Sequence, residues 1–510
     1  MPMRKWLDRS RRLPGAPGAR VTDVNGNDWR QAALDLAASG ARLHALWAER
    51  QPSALVHALY AGDDFLLLVT LGLAEPETAY PTLSDVFPAA NRMQRAAADL
   101  TGLRARDGDT RPWLRHAAWP AEYLPLAPSG PPEKSAKLRP DDYAFVRVRG
   151  EGVHEIPVGP VHAGIIEPGH FRFSVVGEKV LRLEERLGYV HKGIEQLFAR
   201  TPLFDGHRLA ARVSGDSAVA YSWAYCQALE GLTDAAVPAR ATWLRALALE
   251  AERIANHLGD LGALGNDAGF AFGLSQLSRL KELWLRAVQR ALGQRYLLDF
   301  VVPGGVAADL QRERVAELLV SVRGIEADVT TVRAIFDEHA GVRDRFAGTG
   351  IVTPDLATQL GLVGLAARAS GHDWDLRADI PCAPYDELKI HKAVRSDGDV
   401  AARVAVRFDE LADSLRLVTT IAPNLPPGSI RSYVAAPSAG AAAVGAIEGW
   451  RGPVFVALTA GEDGGIRRCH PHDPSWQNWP ALEYAIVGNI VPDFPLINKS
   501  FNLSYSGHDL

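Results

Sequence analysis

The segment Ala241-Thr-Trp-Leu-Arg-Ala-Leu-Ala-Leu-Glu-Ala-Glu-Arg-Ile-Ala-Asn-His-Leu-Gly-Asp-Leu261 decides the fold class of this chain. Its apolar residues recur at steps of three and four, which places them on one face of an α-helix. This apolar stripe consists of Leu244, Leu247, Ala251, Ile254, Leu258 and Leu261. Ser275–Leu292 repeats the pattern and Val400–Val418 is a further candidate helix, so the sequence predicts a large domain built mainly from helices.

Strands are expected on both sides of these helices. Val153–Val180 has the pattern of short strands separated by Gly/Pro turns, and Gly428–Leu510 returns to strands and turns. Within the second segment, Val454–Leu458 is a candidate strand and Gly461–Gly465 is a candidate turn. The large domain, residues 143–510, is therefore predicted to carry peripheral β-structure around a helical centre.

The N-terminal region differs from this domain in pattern. Trp29–Arg50 has apolar residues at helical spacing, whereas Ser53–Tyr60 and Asp64–Leu73 are rich in Val, Leu and Phe, as strands are. Leu126–Asp142 is rich in Pro, Ser and Lys and is predicted to be a linker. These features predict an α+β chain with a small N-terminal α/β domain (residues 28–124), a linker (125–142) and the large domain.

Residues 1–27 are basic and end in a Gly/Asn-rich stretch, which predicts a disordered tail. They lack the apolar core of a signal peptide, and contact with an anionic lipid surface stays open on charge alone. No segment of the sequence approaches the roughly 20 consecutive apolar residues that a membrane-spanning helix needs.

Charge and cysteine content exclude several protein classes. The chain has 55 basic and 60 acidic residues, a formal charge of −5, and this balance argues against a nucleic-acid partner. Its three cysteines, Cys226, Cys382 and Cys469, are far apart. Neither a disulfide framework nor an iron–sulfur cluster held by this chain is therefore expected, and a reducing compartment fits best. The sequence also lacks the P-loop, Rossmann, zinc-protease and serine-hydrolase motifs.

Two groups of ionisable residues stand at helical spacing. His191 and Glu195 are four residues apart and can pair, either on the surface or at a site where Glu195 fixes one imidazole tautomer. Glu250, Arg253 and His257 flank the apolar stripe quoted above, so they are predicted to be half-buried and paired. That group is either a salt-bridge network that braces the helices or a proton path through Glu250 and His257.

A third group lies in Arg467-Arg-Cys-His-Pro-His-Asp473, where two imidazoles, a thiol and a carboxylate could bind a metal. However, Pro471 interrupts any helical or strand face, and the spacing of the Cys and His residues is not a common ligand spacing. The segment is predicted to be a turn with polar contacts, and no metal site is predicted in the chain.

Several long motifs resemble a known family. Gly159-Pro-Val-His-Ala-Gly-Ile-Ile-Glu-Pro-Gly-His-Phe-Arg-Phe173 and Leu187-Gly-Tyr-Val-His-Lys-Gly-Ile-Glu-Gln-Leu197 are similar to the opening of the large subunit of energy-converting, complex I-related [NiFe] hydrogenases. They also resemble the quinone-site large subunit of complex I. Further segments that carry the resemblance are Glu250–His257, Gly398–Arg407, Asp473–Trp476 and Asn498–Phe501. The resemblance thus covers nearly all of residues 150–510.

The N-terminal domain resembles the small companion subunit of the complex I peripheral arm, which is fused ahead of the large subunit in formate hydrogenlyase-type hydrogenases. The segments that carry this resemblance are Tyr80–Asn91 and Asp99–Leu103. Gln94 and Ala96 flank Arg95 where the family has an acidic pair. The fold is therefore expected, whereas that ion-pair cluster is not.

One departure from the family concerns its metal. A [NiFe] centre is held by four thiolates, because such metals prefer deprotonated sulfur, and the family supplies them as two C-x-x-C pairs. Here the first pair is replaced by Ser214 and Ser217, and the C-terminal segment Asn502–Leu510 has Ser504 and Gly507 at the matching places. A serine hydroxyl is a poor replacement for a bridging thiolate, so hydrogen activation is not expected.

Complex I has also lost this metal and binds a quinone headgroup in the vacated pocket. The resemblance matches its quinone-site tyrosine to Tyr225, whose phenol would donate a hydrogen bond and a proton; the alternative is that Tyr225 is a core residue. His162 and His170 bracket the place of the family's quinone-site histidine. Arg212 and Asp216, one turn apart if helical, would bind a polar substrate, support proton movement or close the pocket as an ion pair.

The resemblance implies a redox subunit that works only within a complex. It would receive electrons from a [4Fe–4S] cluster in an iron–sulfur small subunit and pass them to a quinone or similar acceptor, with antiporter-like integral membrane subunits as further partners. It implies a peripheral position on the cytoplasmic face of the membrane and possible coupling to ion translocation. The alternative is a non-catalytic subunit that couples or connects the parts of such a complex.

Overall fold

The N-terminal part of the chain forms a five-stranded mixed sheet flanked by helices. The computed structural model describes residues 3–116, 119–120, 122–127, 143–162 and 166–510. The elements of this part are α1 (Arg4–Asp8), β1 (Arg11–Arg12), β2 (Ala19–Val24), α2 (Gly26–Ala37), β3 (Arg42–Glu49), β4 (Ala54–Ala61), β5 (Leu66–Leu73), β6 (Ala79–Pro81), α3 (Ala90–Thr101) and β7 (Arg104–Arg106). The sheet order is β1-β2-β5-β4-β3, with β2 and β5 parallel and the other neighbours antiparallel.

The two strands predicted at Ser53–Tyr60 and Asp64–Leu73 are confirmed as β4 and β5. The helix predicted at Trp29–Arg50 is correct in its first half and wrong in its second half. Helix α2 ends at Ala37, and Gly40, at a φ of 80°, turns the chain into β3. Nearly every residue of β3 is buried. A strand buried on both faces has apolar residues without strict alternation, which resembles a helical pattern over a short window.

The prediction of a disordered tail at residues 1–27 is wrong for the described residues 3–27. Trp6 is fully buried, and its indole nitrogen donates to Asp35 at 2.9 Å. Strand β2 pairs along its length with β5. The basic residues point outward while Leu13 and Val21 enter the core, so the charge that suggested disorder covers the surface of a folded segment. The predicted linker at Leu126–Asp142 lies mostly at 128–142, outside the described residues, and the domain limits stay predictions.

The remainder of the chain is mainly helical, and its described residues form three small antiparallel sheets. Its strands are β8 (Val153–Val158), β9 (His170–Val176), β10 (Lys179–Arg186), β11 (Val301–Val302), β12 (Gly305–Val306), β13 (Ala442–Glu448), β14 (Pro453–Ala460) and β15 (Ile466–His472). Its helices are α4 (Ile194–Phe198), α5 (Gly206–Ala210), α6 (Ala218–Leu232), α7 (Ala239–Asp267), α8 (Ala271–Leu292), α9 (Arg312–Glu338), α10 (Ala340–Phe346), α11 (Pro354–Leu360), α12 (Gly364–Arg368), α13 (Leu376–Asp379), α14 (Val400–Ile421), α15 (Ser475–Ala485), α16 (Phe494–Phe501) and α17 (Tyr505–Asp509).

Helix α7 is the centre of this part and packs against α8 and α14. The three long helices predicted from apolar stripes are thereby confirmed as α7, α8 and α14, and the predicted strands at Val153–Val180 are confirmed as β8, β9 and the start of β10. The α+β fold class with a helical large part and peripheral strands is confirmed. No helix in the described part of the chain is both long enough and apolar enough to cross a membrane.

The C-terminal segment combines a sheet with helices that the sequence pattern does not reveal. Strand β14 and the turn at Gly461–Gly465 are confirmed, since Gly461 donates to the Gly465 carbonyl at 2.9 Å. The turn predicted at Arg467–Asp473 is wrong: most of it is strand β15, and Pro471 pairs with Val456 in the sheet. A proline is tolerated there because β15 is an edge strand of its sheet.

The N-terminal sheet and the sheet β13-β14-β15 pack against each other and share one core. Ala16 donates to the Val444 carbonyl at 2.7 Å, and Val444 donates to the Pro14 carbonyl at 3.1 Å. Trp47 and Phe455 lie in the apolar cluster between the two sheets. The segment predicted to be a tail therefore fastens the N-terminal part of the chain to the large domain.

Substitution of Gly445 tests how closely β13 packs against α6. A Cβ at this position would collide with the backbone carbonyl of Ala224, and because backbone cannot rotate away, Gly445→Ala should lower the free energy of unfolding by about 1–3 kcal/mol. The matched control is Gly324→Ala in α9, where a Cβ meets open space and should stabilise the chain by about 0.5–1 kcal/mol. The measurement is urea unfolding of the full chain, and equal midpoints for the two variants would contradict the packing.

Candidate functional site

The four positions that the resemblance assigns to metal ligands are buried and lie close together, and the place where they meet is called the pocket below. The hydroxyl oxygens of Ser214 and Ser504 lie 2.9 Å apart. Gly507 donates its backbone N–H to Ser504 Oγ at 2.9 Å, and Arg451 Nη1 lies 3.5 Å from Ser217 Oγ. The loop between α5 and α6 thus meets the C-terminal helix α17, as the sequence motifs predict.

Two of the three serines of this pocket, Ser214 and Ser504, are held by local structure. Ser504 is the N-cap residue of α17, and its hydroxyl accepts from Gly507, which is what helix capping requires. Its backbone N–H donates to Ser475 Oγ at 2.9 Å. Ser214 donates to Asp216 Oδ1 at 2.7 Å. Because the Ser214 proton is used on Asp216, Ser504 is the donor in the contact between the two hydroxyls.

The residues of this pocket do not fit a [NiFe] centre. The four positions offer hydroxyls and a glycine in place of thiolates, and a side chain at Gly507 would collide with the Asp473 carboxylate. Arg451, 7 % exposed, places a guanidinium beside Ser217 and pairs with Asp216 at 2.9 Å. Among the described residues, no group of three or more His, Cys, Asp or Glu side chains is arranged to hold a metal ion.

Tyr221, which sequence reasoning missed, reaches this pocket. Its hydroxyl donates to Asp473 Oδ2 at 2.7 Å, and burial together with that carboxylate raises the pKa of Tyr221. Tyr225 lies one turn further along α6, where its hydroxyl donates to the Leu203 carbonyl at 2.6 Å and its ring stacks on Phe198. Both tyrosines lie in the segment that carries the resemblance. The structure therefore favours the core interpretation of Tyr225.

His162 and His170 brace the loop that precedes β9. His162 Nε2 lies 2.8 Å from the Gly169 carbonyl, and His170 Nδ1 lies 3.1 Å from the Gly159 carbonyl. A Cβ at Gly169 would press on the ring of Tyr505 in α17, so this loop does pass beside the pocket helix. Each histidine has a ring nitrogen within hydrogen-bond distance of a carbonyl in its own loop.

The predicted pairing of His191 with Glu195 is wrong. His191 precedes α4, so the two are not on one helix, and its Nδ1 lies 2.7 Å from the Asp509 carbonyl. Glu195 instead contacts His470 Nδ1 at 2.6 Å and Arg468 Nη1 at 2.8 Å. Burial alone would raise the pKa of Glu195, but Arg468 and His470 together lower it to about 2. Glu195 therefore joins α4 to β15 as a buried carboxylate.

Arg212 and Asp216 do not pair with each other. Arg212 Nη1 pairs with Asp299 at 2.7 Å on the surface. Asp216 pairs with Arg451 and faces a cavity of about 250 Å³. The cavity wall is formed by the Gly215–Asp216 backbone, α7, α8 and residues 295–297.

Glu252 is the buried acid in the wall of this cavity. One of its oxygens accepts from the Val219 N–H at 2.7 Å, at the start of α6. Burial raises the pKa of Glu252 to about 8, so the group carries a proton at neutral pH. Lys281 and Tyr296 add an ammonium and a phenol to the wall, and Leu285 adds apolar surface. The cavity can therefore take a small polar molecule and offer it a proton.

Glu250 and His257 are fully buried, which corrects the prediction that they are half-buried. Helix α7 is covered on most of its circumference, so residues that flank its apolar stripe are buried as well. Glu250 accepts from Tyr385 at 2.7 Å and from Ser414 at 2.6 Å, and His257 Nε2 lies 3.3 Å from Glu410. The structure confirms that these residues are paired, as members of a larger ionic network.

The chain is similar to two protein families and to several known proteins. Residues 267–441 match the family model described as the respiratory-chain NADH dehydrogenase 49 Kd subunit, and residues 19–135 match the 30 Kd subunit model. The chain is 30 % identical over 438 residues to formate hydrogenlyase subunit 5 of Escherichia coli (strain K12), an alignment covering 84 % of this chain and 77 % of that protein. It is 30 % identical over 350 residues to the carbon monoxide-induced hydrogenase of Rhodospirillum rubrum, covering 68 % and 97 %.

A solved structure shares the fold. A chain of the membrane-bound sulfane sulfur reductase, described as an archaeal respiratory membrane complex, superposes with a TM-score of 0.66 at 24 % identity. The superposition covers 71 % of this chain and 99 % of the other. The predicted order of a small companion module ahead of a large module is confirmed by the two family models.

An engineered disulfide between positions 214 and 504 tests whether the loop between α5 and α6 contacts the start of α17. Oxidation of the double variant Ser214→Cys/Ser504→Cys should link the two residues, because their side-chain oxygens lie 2.9 Å apart and a disulfide brings its sulfurs to about 2.0 Å. Peptide mass spectrometry detects the link. Ser222→Cys/Ser504→Cys is the matched control, since the Ser222 hydroxyl bonds to the Ala218 carbonyl instead. Equal linkage in both double variants would contradict the geometry.

Proposed function

Because this chain belongs to the family of large subunits shared by complex I and the formate hydrogenlyase-type hydrogenases, with the small peripheral-arm module fused ahead, we propose that it passes electrons to an acceptor within a membrane-associated redox complex. The electrons come from a [4Fe–4S] cluster in a partner subunit. The acceptor is a quinone or a similar molecule. The chain itself belongs to the oxidoreductase class and holds no cluster.

The observation that carries this proposal is the cavity beside the converged ligand positions. Gly215 and Asp216 lie between Ser214 and Ser217 in sequence, and both line the cavity. An acceptor bound there would lie beside the positions that correspond to the metal ligands of the family's hydrogenases. Glu252 would supply a proton, and the ion pair of Asp216 with Arg451 would fix the polar wall.

Hydrogen activation is not part of the proposed function. The pocket presents hydroxyls, a carboxylate and a guanidinium, and none of these replaces a thiolate that bridges soft metals. Nickel bound in stoichiometric amount to the purified chain would contradict this part of the proposal.

The proposed partners follow from the family. An iron–sulfur small subunit would supply electrons, and antiporter-like membrane subunits would anchor the complex and respond to its turnover. The chain would lie at the cytoplasmic face of the membrane as a peripheral subunit. Ion translocation by the membrane partners would be coupled to acceptor reduction.

A second candidate function is a non-catalytic subunit that connects the soluble and membrane parts of such a complex. The observation that favours it is that the polar groups of the pocket bond to one another. Ser214 bonds to Asp216 and Ser504, and Tyr221 bonds to Asp473. A pocket closed by its own hydrogen bonds needs no ligand to satisfy them.

Substitution of Asp216 distinguishes the two functions. In the complex purified from native membranes and reduced by dithionite, Asp216→Asn should slow electron transfer to decylubiquinone by about tenfold or more, since a tenfold loss corresponds to about 1.4 kcal/mol. The matched control is Asp328→Asn, which breaks a surface ion pair with Arg279 at 2.7 Å. Native gels check that both variants assemble.

Equal rates in the two variants would show that the acceptor binds elsewhere. A wild-type complex whose iron–sulfur signal does not respond to added acceptor would favour the non-catalytic function.

A further inference from the structure

A cluster of seven charged side chains lies buried between α7, α14, β13 and the segment that contains α12 and α13. None of them is more than 4 % exposed. The cluster consists of Glu250, Arg253, Arg368, Asp375, Arg377, Glu410 and Glu448. Buried charges must be neutralised by partners or by protons, so the contacts inside this cluster decide its protonation.

On one side of the cluster, two arginines pair with three carboxylates. Arg377 pairs with Asp375 at 2.8 Å and with Glu250 at 3.1 Å. Arg253 lies 3.5 Å from Glu250 and pairs with Glu410 at 2.8 Å. Glu250 also accepts from two hydroxyls, as described above. The carboxylate of Glu250 is therefore well satisfied in its ionised form.

The third arginine is shared by three carboxyl groups. Arg368 pairs with Glu410 at 2.8 Å, with Glu448 at 3.0 Å and with Asp375 at 3.6 Å. Glu410 and Asp375 each have a second arginine, whereas Glu448 meets Arg368 alone within 4 Å among the described residues. Its other contact is the Leu376 N–H, which donates to it at 3.3 Å. Glu448 is the least compensated carboxyl group of the cluster.

The charges of the cluster do not balance. Four carboxyl groups face three guanidinium groups, so full ionisation would leave one buried negative charge. Neighbouring groups do not supply the missing cation. Lys392 pairs with Asp379 at 2.6 Å and Arg407 pairs with Asp260 at 2.8 Å. His257 lies 3.3 Å from Glu410, but burial lowers its pKa and favours the neutral imidazole. A buried net charge costs several kcal/mol, and a group in that position takes up a proton instead.

We propose that this cluster holds one exchangeable proton on Glu448 in the resting protein at neutral pH. The groups that face Glu448 are Arg368, Asp375, Arg377 and Arg253, and His257 faces the neighbouring Glu410. In addition, burial and the Asp375 charge raise the pKa of Glu448 to about 7, while the arginines oppose the shift.

The position of Glu448 connects it to the pocket. It ends β13, and the turn that follows carries Trp450, which His257 meets edge-on at 6.0 Å, and Arg451, which pairs with Asp216. The role of Glu448 that follows rests on the proposed function. Glu448 supplies a proton from the protein interior for reduction of the acceptor. Reduction of a quinone to the quinol takes two electrons from the iron–sulfur partner and two protons. Glu252 in the cavity wall gives one proton and Glu448 releases the other toward the pocket, and both carboxyl groups are reprotonated from solvent.

Infrared spectroscopy of the full chain, without partner or acceptor, tests the resting proton. The carbonyl band of a protonated carboxylic acid should be weaker in Glu448→Gln than in the wild type at pH 7. Asp375→Asn should remove the same band intensity, because deleting one carboxylate balances the charges and allows Glu448 to ionise. The matched control, Glu230→Gln, breaks a one-to-one buried pair with Arg245 at 2.6 Å and should leave the band unchanged.

The pH dependence of unfolding provides a second measurement. The folded pKa of Glu448, about 7, lies above its ordinary value of 4.5, so the wild type loses stability relative to Glu448→Gln as the pH rises from about 4.5 to about 7. Its unfolding constant, relative to that of the variant, should rise about tenfold per pH unit within this window and level off above about pH 7. A Glu448→Gln chain that does not fold would overturn the proposal, because glutamine is the neutral isostere of the proposed state.

Further results would overturn the resting proton on Glu448, its role as a proton source or the proposed function. No band difference between wild type and Glu448→Gln would overturn the proposal, and so would a band that persists in a folded Asp375→Asn chain. In the assembled complex, Glu448→Gln should slow decylubiquinone reduction about tenfold at pH 6, where the wild-type Glu448 carries its proton. Equal turnover, with the resting band present, would overturn the role as a proton source, whereas a wild-type complex that reduces no acceptor would overturn the proposed function alone.

Discussion

Burial of helix α7 is the constraint on which the rest of the structure depends. The helix is covered on most of its circumference, yet it carries Glu250, Glu252, Arg253 and His257. Every one of these groups must be neutralised by a partner or a proton, because a buried charge is costly. The surrounding elements are placed where their arginines, hydroxyls and backbone N–H groups meet this helix. Both the candidate site and the ionic cluster follow from that single requirement.

Helix α7 carries different buried polar residues on two of its sides. One side carries Glu252 and faces the cavity beside the Ser214–Ser217 loop, where Asn256 donates to the Asp216 carbonyl at 2.7 Å. The other side carries Glu250 and Arg253 and faces the cluster that ends at Glu448. The β13–β14 hairpin touches both sides, because it supplies Glu448 to the cluster and Arg451 to the pocket. In the proposed function, the acceptor and its proton donors would therefore be held by the same helix and hairpin.

The sequence predicts local structure and family positions well, but not partners distant along the chain. The apolar stripe of α7 and the convergence of Ser214 with Ser504 follow from periodicity and motif. The partners of Glu195 do not, because His470 and Arg468 lie some 275 residues away in the chain and no local pattern links them. The folded state of residues 3–27 is equally hidden, since Pro14 and Ala16 are ordered by a strand near residue 444. Tyr221 and Tyr225 share one segment, so only the folded structure separates the pocket residue from the core residue.

The central claim is that this chain works as a redox subunit inside a membrane complex. The most direct measurement is to tag the chain in its native cell, extract the membranes with a mild detergent and identify the proteins that co-purify. The account predicts a [4Fe–4S] subunit together with antiporter-like membrane subunits. A chain that purifies alone, free of membranes and of any iron–sulfur protein, would contradict it.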